Sequence, residues 1–173
     1  MIYTAMSLDG FTAHRNGDML QHSNPSKNDY GFRKFFKSVD SVIFNRDYYD
    51  LLLSYDVRWP FGDKQCHIVS EEKFYTSPNQ NVQFILANNS LSIIEQVKVL
   101  QQASGGNIWL AGDNMISLFT GHGMIDEFIL NILPVLLGNG LPLFMSCNTE
   151  CSLKLLSAEQ FNNGVVQLHY RKD

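Results

Sequence analysis

Short apolar blocks alternate with longer stripes of helix-spaced apolar residues along most of the chain. The blocks predict strands, because they are rich in β-branched side chains and end at turn residues. The stripes predict helices, because their apolar positions recur every three to four residues. The strands fall at residues 2–7, 42–44, 66–69, 82–86, 108–111 and 125–133, and the helices at 32–36, 48–53, 91–103 and 115–121.

The end of the chain departs from this alternation. Residues 152–156 and 165–170 have the composition of two strands, and Asn162-Asn163-Gly164 between them is typical of a hairpin turn. Strands that alternate with helices favour parallel pairing, whereas a closing hairpin must be antiparallel. The pattern predicts one α/β domain over residues 1–173, with a central, mainly parallel mixed sheet flanked by helices and an antiparallel C-terminal edge.

Polar loops follow several of the predicted strands. Residues 12–28 form a long polar stretch, and such a loop in a compact domain usually lines a functional site. In open α/β sheets ligands collect at the carboxyl ends of the strands. We therefore expect a small-molecule cleft lined by four loops, namely Ser7-Leu8-Asp9-Gly10, Asn45-Arg46-Asp47-Tyr48, Val69-Ser70-Glu71 and Ala111-Gly112-Asp113-Asn114.

Charge and composition exclude several classes of partner. The formal net charge of −4 and the scattered basic residues argue against nucleic acid, which is bound by clustered Lys and Arg. No apolar run is long enough to span a bilayer, and the first residues lack the pattern of a signal peptide, so a cytoplasmic location is expected. Cys66, Cys147 and Cys151 form an odd set typical of a reducing compartment, and their spacing predicts no metal site.

The four loops, together with two later motifs, resemble a known family. The later motifs are Ile125-Asp126-Glu127 and the run from Pro134-Val135-Leu136-Leu137-Gly138-Asn139-Gly140 to Phe144. In this order, over nearly the whole chain, they resemble the dihydrofolate reductase superfamily, in the branch of the reductase domain of bacterial riboflavin biosynthesis and its free-standing homologues. The resemblance implies a dihydrofolate reductase-like fold and hydride transfer from NADPH to a small ring or carbonyl substrate. It also implies a homodimer, for which the apolar run 129–144 supplies hydrophobic surface.

Two carboxylates are candidates to protonate or polarise the substrate. Asp9 matches the loop Asp of the family, and Asp29 lies at the start of the first helix, as does the acid of the folate enzymes. Each has a structural alternative, because Asp before Gly10 favours a turn and Asp before a helix favours a cap. Spacing alone does not decide between these roles.

The resemblance also assigns residues to the nucleotide. They are Ala5, Thr12, Ala13, Asn45, Arg46, Asp47, Tyr48, Ser70, Glu71, Gly112, Asp113, Asn114 and Met115. The family usually has Gly and Thr where this chain has Asn45 and Tyr48, Arg where it has Glu71, and a further glycine where it has Asp113. Because Glu71 would repel a 2′-phosphate, the sequence leaves NADPH, NADH or no nucleotide open.

Two functions follow. The first is an NAD(P)H-dependent reductase related to 5-amino-6-(5-phosphoribosylamino)uracil reductase. The H-x-E and P-C-x-x-C motifs of that pathway's deaminase are absent from the sequence, so we expect no bifunctional enzyme. The second is a diverged binding protein that keeps the fold and the cleft but has lost hydride transfer, and the departures on the nucleotide side favour it.

Overall fold

The computed structural model describes residues 1–18, 20, 29–54, 59–71, 80–87, 89–144 and 150–173. Their contacts divide the chain into a terminal unit, residues 1–37 and 116–173, and a central unit, residues 38–115. In chain order the elements are β1 (Ile2–Ser7), β2 (Phe11–Ala13), α1 (Phe32–Ser38), β3 (Ser41–Asn45), α2 (Arg46–Ser54), β4 (Gln65–Ser70), β5 (Val82–Leu86), α3 (Ser90–Ser104), β6 (Ile108–Leu110), α4 (Asp113–Gly121), β7 (Glu127–Leu133), β8 (Leu141–Pro142), β9 (Leu153–Gln160) and β10 (Val166–Lys172).

The central unit contains a parallel four-stranded sheet in the order β5-β4-β3-β6. Its middle strand β3 has Val42, Ile43 and Phe44 fully buried, which is typical of a parallel strand covered on both faces. The rings of Phe44 and Phe61 stack 5.2 Å apart and extend this core. Fully burying a side chain of this size contributes about 1.5–3 kcal/mol, so β3 anchors the unit.

Helix α3 has well-defined signals at both ends. The Asn89 side chain accepts a hydrogen bond from the Ser92 amide, and Gly105 ends the helix with a left-handed φ of 59°. Ile94 and Val97 are buried as the predicted stripe requires, but Leu91 is 67% exposed. The apolar stripe of the helix is therefore buried from Ile94 onward, and Leu91 in the first turn faces solvent.

The terminal unit contains a mixed four-stranded sheet in the order β1-β7-β10-β9. Strands β1 and β7 are parallel, whereas β10 runs antiparallel to both β7 and β9. Pro134 follows the last residue of β7, where its missing N–H costs no ladder bond. Strands β2 and β8 form a separate two-stranded antiparallel ribbon. In sequence, the loop that contains Asp9 precedes β2, and the loop that contains Gly138 precedes β8.

The α/β class and the antiparallel C-terminal edge are confirmed, and β1 and β5 have the predicted bounds. The predicted turn at Asn162-Asn163-Gly164 is confirmed by a hydrogen bond from the Phe161 amide to the Val165 carbonyl at 2.9 Å. Hydrogen bonding in the described ranges divides the strands between two four-stranded sheets and the ribbon. Residues 12 and 13, predicted as loop, belong to β2, while residues 19 and 21–28 of that loop lie outside the described residues. Within those ranges no helix is long and apolar enough to cross a membrane.

Candidate functional site

The direction of the chain connections changes between β3 and β6 in the central unit. From β3 the chain continues to β4 and β5 on one side of the sheet, and β6 pairs with β3 on the other side. Such a switch point leaves a crevice at the carboxyl ends of its two strands, and nucleotides bind in crevices of this kind. Here each strand is followed closely by a helix, α2 from Arg46 and α4 from Asp113. The N-terminus of a helix carries a partial positive charge, which favours an anionic ligand.

Asn45 and Gly112 lie next to each other at this switch point. Gly112 has a φ of +90°, which a residue with a side chain rarely adopts, and a Cβ placed on it would lie 3.5 Å from the Asn45 Oδ1. That same Oδ1 accepts a hydrogen bond from the Tyr48 amide at 3.2 Å, so Asn45 caps α2. The structure thus brings together two of the predicted nucleotide residues and leaves the backbone open at Gly112.

Arg46 is the cation nearest to this cap in sequence. Its Nε contacts both carboxylate oxygens of Asp50 at 2.7 Å, one helical turn further on. Asp47 is exposed, while the Tyr48 ring packs edge-on against Phe44 with 5.5 Å between the ring centroids. Of the predicted nucleotide residues in α2, Arg46 is therefore ion-paired, Asp47 is exposed to solvent and Tyr48 packs against Phe44.

The remaining nucleotide residues of the central unit differ in their accessibility. Ser70 ends β4 and is 4% exposed, and its carbonyl accepts a hydrogen bond from the Ala87 amide at 3.0 Å. Glu71 follows it and is exposed. Asp113 and Asn114 supply the first residues of α4, and Met115 is 4% exposed. Glu71 therefore presents its carboxylate to solvent, whereas the side chains of Ser70 and Met115 are buried.

Asp9 connects the loop after β1 to the loop after β7. Its carboxylate accepts hydrogen bonds from the Leu137 amide at 3.1 Å, the Gly138 amide at 2.7 Å and the Ser7 hydroxyl at 2.6 Å. The hydrogen bond from Ser7, followed by those from the two amides, lowers the pKa of this exposed carboxyl below its ordinary value. The carboxylate therefore stays ionised near neutral pH, which favours a positioning role over proton donation.

The ribbon β2–β8 holds the other predicted residues of this loop. The Thr12 hydroxyl donates to the Leu141 carbonyl at 3.2 Å, and Thr12 and Ala13 are 8% and 5% exposed. A Cβ on Gly140 would lie only 2.4 Å from the Ala13 carbonyl oxygen, so the two strands approach at a distance that glycine alone permits. Ala5, on β1, is half-buried. Thr12 and Ala13 thus build the loop platform, and their side chains face away from solvent.

Asp29 precedes the first helix, α1, by three residues. Its Oδ1 accepts a hydrogen bond from the Arg33 amide at 3.1 Å, and its carbonyl accepts one from the Phe32 amide at 2.7 Å. These are the contacts of a helix cap, the alternative that spacing left open. The next residue, Tyr30, is buried at a φ of +44°, a strained conformation for a residue with a side chain.

A polar network that sequence reasoning missed supports this strained turn. The Tyr30 carbonyl accepts hydrogen bonds from the Tyr3 hydroxyl at 2.9 Å and from the Gln167 amide nitrogen at 2.6 Å. Gln167 also donates to Asn131 Oδ1 at 2.8 Å, and Asn131 is 2% exposed. The feature of the sequence that could have indicated this network is Asn131 within the predicted strand 125–133, because a buried polar side chain needs hydrogen-bond partners.

A groove of the central unit is lined by none of the residues that the sequence assigned to the site. It has a volume of about 330 Å³ and lies between α3 and strands β4 and β5, with His67, Gln83, Glu95 and Val99 in its lining. Burial lowers the pKa of His67 and raises the pKa of the neighbouring Cys66 thiol to about 12. Cys66 is therefore an unreactive core thiol, and within the described residues no cluster of side chains could hold a metal ion.

Comparison with known proteins gives the relationship of the chain. The family model of the RibD C-terminal domain matches residues 1–167. YwjB, an uncharacterized protein of Bacillus subtilis strain 168, is 32% identical over 98% of this chain and 95% of its own length. Among solved structures, a proposed riboflavin biosynthesis protein of Shewanella sp. PV-4 has 27% identity and a TM-score of 0.81, over 99% of this chain and 97% of the other.

The bifunctional diaminohydroxyphosphoribosylaminopyrimidine deaminase/5-amino-6-(5-phosphoribosylamino)uracil reductase of Thermotoga maritima shares the fold. Its identity is 14% and its TM-score is 0.70, over 99% of this chain and 56% of the larger protein. The predicted resemblance to the riboflavin reductase branch is confirmed by the family match, which covers nearly all of the sequence. This chain belongs to the RibD C-terminal domain family, whose fold is that of dihydrofolate reductase.

Proposed function

We propose that the protein is an NAD(P)H-dependent reductase of a small heterocyclic or carbonyl substrate, related to 5-amino-6-(5-phosphoribosylamino)uracil reductase. The observation that carries the proposal is the switch point between β3 and β6. Two helices begin there, and Gly112 leaves the backbone between them without a side chain. Membership of a reductase family supports the same reading.

The residues at the switch point fit the pyrophosphate of a dinucleotide. The start of α4 offers backbone amides to a phosphate, and Gly112 gives the close approach that a phosphate needs, whereas the Tyr48 amide of α2 is already capped by Asn45. When bound there, a nicotinamide nucleotide supplies the hydride. Arg46 already contacts Asp50, so its contribution to phosphate binding requires that this exposed ion pair rearrange, at a modest free-energy cost.

Asp9 has a positioning role in this proposal. Its carboxylate holds the 137–138 backbone, and its lowered pKa leaves no proton to donate near neutral pH. Asp29 is similarly engaged as the cap of α1. In this proposal neither carboxylate is the proton donor: Asp9 holds its loop and Asp29 caps α1.

The second candidate, a binding protein without hydride transfer, is favoured by one observation. The charged groups that the sequence assigned to chemistry are already used within the fold, Arg46 by Asp50 and Asp9 by two backbone amides. A protein that only binds needs the crevice and not these groups. Nucleotide binding followed by substrate-dependent oxidation separates the two candidates.

The test is a titration with NADPH and NADH that follows the melting temperature and the fluorescence of Trp59 and Trp109. A ligand present at 100 times its Kd stabilises the native state by about 2.7 kcal/mol, which raises the melting temperature by roughly 5–10 °C in a chain of this size. If neither nucleotide shifts the melting temperature at millimolar concentration, that result contradicts the reductase proposal and also the form of the alternative that binds a nucleotide.

A pair of glycine variants shows whether the nucleotide occupies the switch point. Gly112→Ala and Gly123→Ala both place a Cβ at positive φ, +90° and +62°, with the nearest atom 3.5 Å away. Both variants are strained, but Gly112 alone of the two lies at the switch point. We expect Gly112→Ala to abolish the nucleotide-induced shift and Gly123→Ala to retain it. Equal shifts in the two variants would place the nucleotide elsewhere.

A further inference from the structure

The groove between α3 and strands β4 and β5 lies on one face of the parallel sheet. His67 of β4 pairs with Ile43 of β3 and with Gln83 of β5, and paired residues of neighbouring strands point to the same face. Ile85 lies two positions beyond Gln83 on β5, so it shares this face. Helix α3 lies over this face and forms the other wall of the groove.

The fold holds both walls of the groove in place. The Gln96 side chain donates from Nε2 to the Leu86 carbonyl at 2.6 Å, which fixes the middle of α3 against the end of β5. Ile94 and Val97 are buried and anchor the helix in the core. Val99 lies beside this buried stripe, lines the groove and is exposed. The groove is therefore bounded by packed elements.

The groove is separate from the switch point between β3 and β6. His67 precedes Ser70, the last residue of β4, by three positions, which is about 10 Å along the strand. On the opposite face of the sheet, the ring of Phe84 contacts Tyr49 of α2 with 5.6 Å between the centroids. Because α2 begins at the switch point and packs on that opposite face, a ligand in the groove does not share the nucleotide crevice.

Two neutral polar side chains of the groove have unused hydrogen-bonding capacity. The His67 imidazole makes no hydrogen bond to any described residue, and its Nδ1 is buried. Burial lowers the pKa of His67, so the ring is neutral near neutral pH and has one N–H and one lone pair. The exposed Gln83 amide likewise makes no side-chain hydrogen bond within the described residues. Both side chains can therefore accept a hydrogen bond from a ligand.

The formal charge of the groove is negative. Among the described residues that line it, Glu95 alone is charged near neutral pH, and it is exposed on α3. Within the described ranges no cation lies within 4 Å of its carboxylate. Lys98 follows one turn later on the helix and does not line the groove. The groove thus combines apolar walls with one carboxylate and two neutral acceptors.

We propose that this groove binds a small organic cation, a protonated amine on an apolar body. The ammonium group pairs with the Glu95 carboxylate, and the apolar body packs between Ile85 and Val99. An ammonium group has three N–H donors and no acceptor, so it matches a site whose unused groups can accept. An anion is disfavoured, because Glu95 would repel it with no neighbouring cation to offset the repulsion.

The size of the groove limits the ligand. Its volume of about 330 Å³ is at the lower end of the range for small-molecule pockets. It equals the volume that about eleven water molecules occupy in the liquid. This space suits one aromatic ring with a short amine arm, and it is too small for a dinucleotide.

The experiment is a nuclear magnetic resonance titration of the full chain, labelled with ¹³C in its methyl groups. Three probes share one apolar body and differ in charge: phenethylammonium is a cation, 2-phenylethanol is neutral and 3-phenylpropionate is an anion. We expect phenethylammonium to shift the methyl resonances of Ile85 and Val99, with a Kd of about 1 mM or lower. The alcohol should bind roughly two- to five-fold more weakly, and the carboxylate more weakly still.

A charge variant tests the ion pair. Glu95→Gln should weaken phenethylammonium binding by roughly two- to five-fold, as expected for an exposed pair, and leave 2-phenylethanol binding unchanged. A merely structural role for Glu95 would change both affinities together. Glu159→Gln makes the same charge change at an exposed position of β9 outside the groove lining, and it should leave all three affinities unchanged.

Two further variants test the position of the ligand. His67→Phe keeps a ring but removes its nitrogens, and it should weaken the binding of the amine and of the alcohol by about two- to ten-fold. Val99→Trp fills the groove and should abolish the binding of both. Leu91→Trp places the same ring on an exposed position of α3 that does not line the groove, and it should retain binding.

The proposal is overturned if about 10 mM phenethylammonium leaves the methyl resonances of Ile85 and Val99 in place. It is also overturned if the three probes bind equally, or if 3-phenylpropionate binds most tightly. An affinity for phenethylammonium that neither Glu95→Gln nor Val99→Trp changes has the same consequence. None of these outcomes depends on nucleotide binding at the switch point.

Discussion

The Oδ2 of Asp9 accepts a hydrogen bond from the amide of Gly138 at 2.7 Å, across 129 positions of the sequence. With the Leu137 amide on Oδ1, this contact fixes the loop after β7 against the loop after β1. Ser7 adds its hydroxyl to the same carboxylate and accepts a hydrogen bond from the Phe11 amide at 2.9 Å. One short motif at the end of β1 therefore orders two loops.

Asp9→Asn should lower the melting temperature, because the amide nitrogen of Asn cannot accept from either backbone N–H. The pKa of Asp9 is lowered from 3.8, so its contribution to stability is present above that pH and is lost as the pH falls through the lowered pKa. The difference in melting temperature between wild type and variant should shrink below about pH 4. The exposed Asp63→Asn is the control, and equal melting temperatures for Asp9→Asn and wild type at pH 7 would refute the role of Asp9.

Gly140→Ala should destabilise the protein by about 1–3 kcal/mol, the usual cost of overpacking. The new Cβ would lie 2.4 Å from the backbone carbonyl oxygen of Ala13. A backbone oxygen cannot rotate away from the clash as a side chain can. Gly121→Ala in α4 meets no atom within 4 Å and should be neutral or stabilising by up to about 1 kcal/mol. Urea unfolding of both variants measures the contrast, and a stable Gly140→Ala would mean that β2 and β8 are less closely paired.

Tyr3→Phe should cost about 0.5–1.5 kcal/mol, because it removes the hydroxyl that donates to the Tyr30 carbonyl. Burial raises the pKa of Tyr3 from 10 to about 12. A group whose pKa is raised on folding stabilises the protein at pH values below the pKa it has in the unfolded chain. That contribution is lost as the pH rises through the pKa it has in the folded protein. The wild type should therefore lose stability between about pH 10 and 12, and the variant should lose less.

The Tyr3 prediction is checked by unfolding at several alkaline pH values, with tyrosinate absorbance as a second readout. Tyr170→Phe removes a hydroxyl from the opposite face of the same sheet and serves as the control. An identical alkaline profile for wild type and Tyr3→Phe would show that the network under Tyr30 does not depend on this hydroxyl.

Glu71→Arg should improve NADPH binding relative to NADH binding by about 10-fold, if the proposed function holds. The carboxylate follows β4 and is exposed, and exchanging its charge turns a repulsion of the 2′-phosphate into an attraction worth about 1 kcal/mol or more. Isothermal titration with both nucleotides measures the ratio. Glu95→Arg on α3 makes the same charge change elsewhere, and an equal gain for both nucleotides in Glu71→Arg would remove Glu71 from specificity.

The sequence by itself predicted most of the secondary structure. Strand β1 and strand β5 have the bounds that their β-branched residues indicated, and α3 ends at Ser104, one residue beyond the predicted end. These features succeed because they depend on local preference and on a period that can be counted along the chain. The order of the family motifs likewise indicated the fold.

Contacts between distant segments were decided only by the tertiary structure. Asp9 could be a turn residue or a catalytic one until the amides of Leu137 and Gly138 were placed beside it. The ribbon β2–β8 has two and three residues per strand, too few for any period to show. Apolar and polar residues do not alternate regularly along Leu153–Gln160. Which residues share a face of β9 is decided by its pairing with β10 and by the bulge in that pairing. Local propensity is a property of neighbours along the chain, whereas hydrogen-bond partners and burial depend on where the fold brings distant residues together.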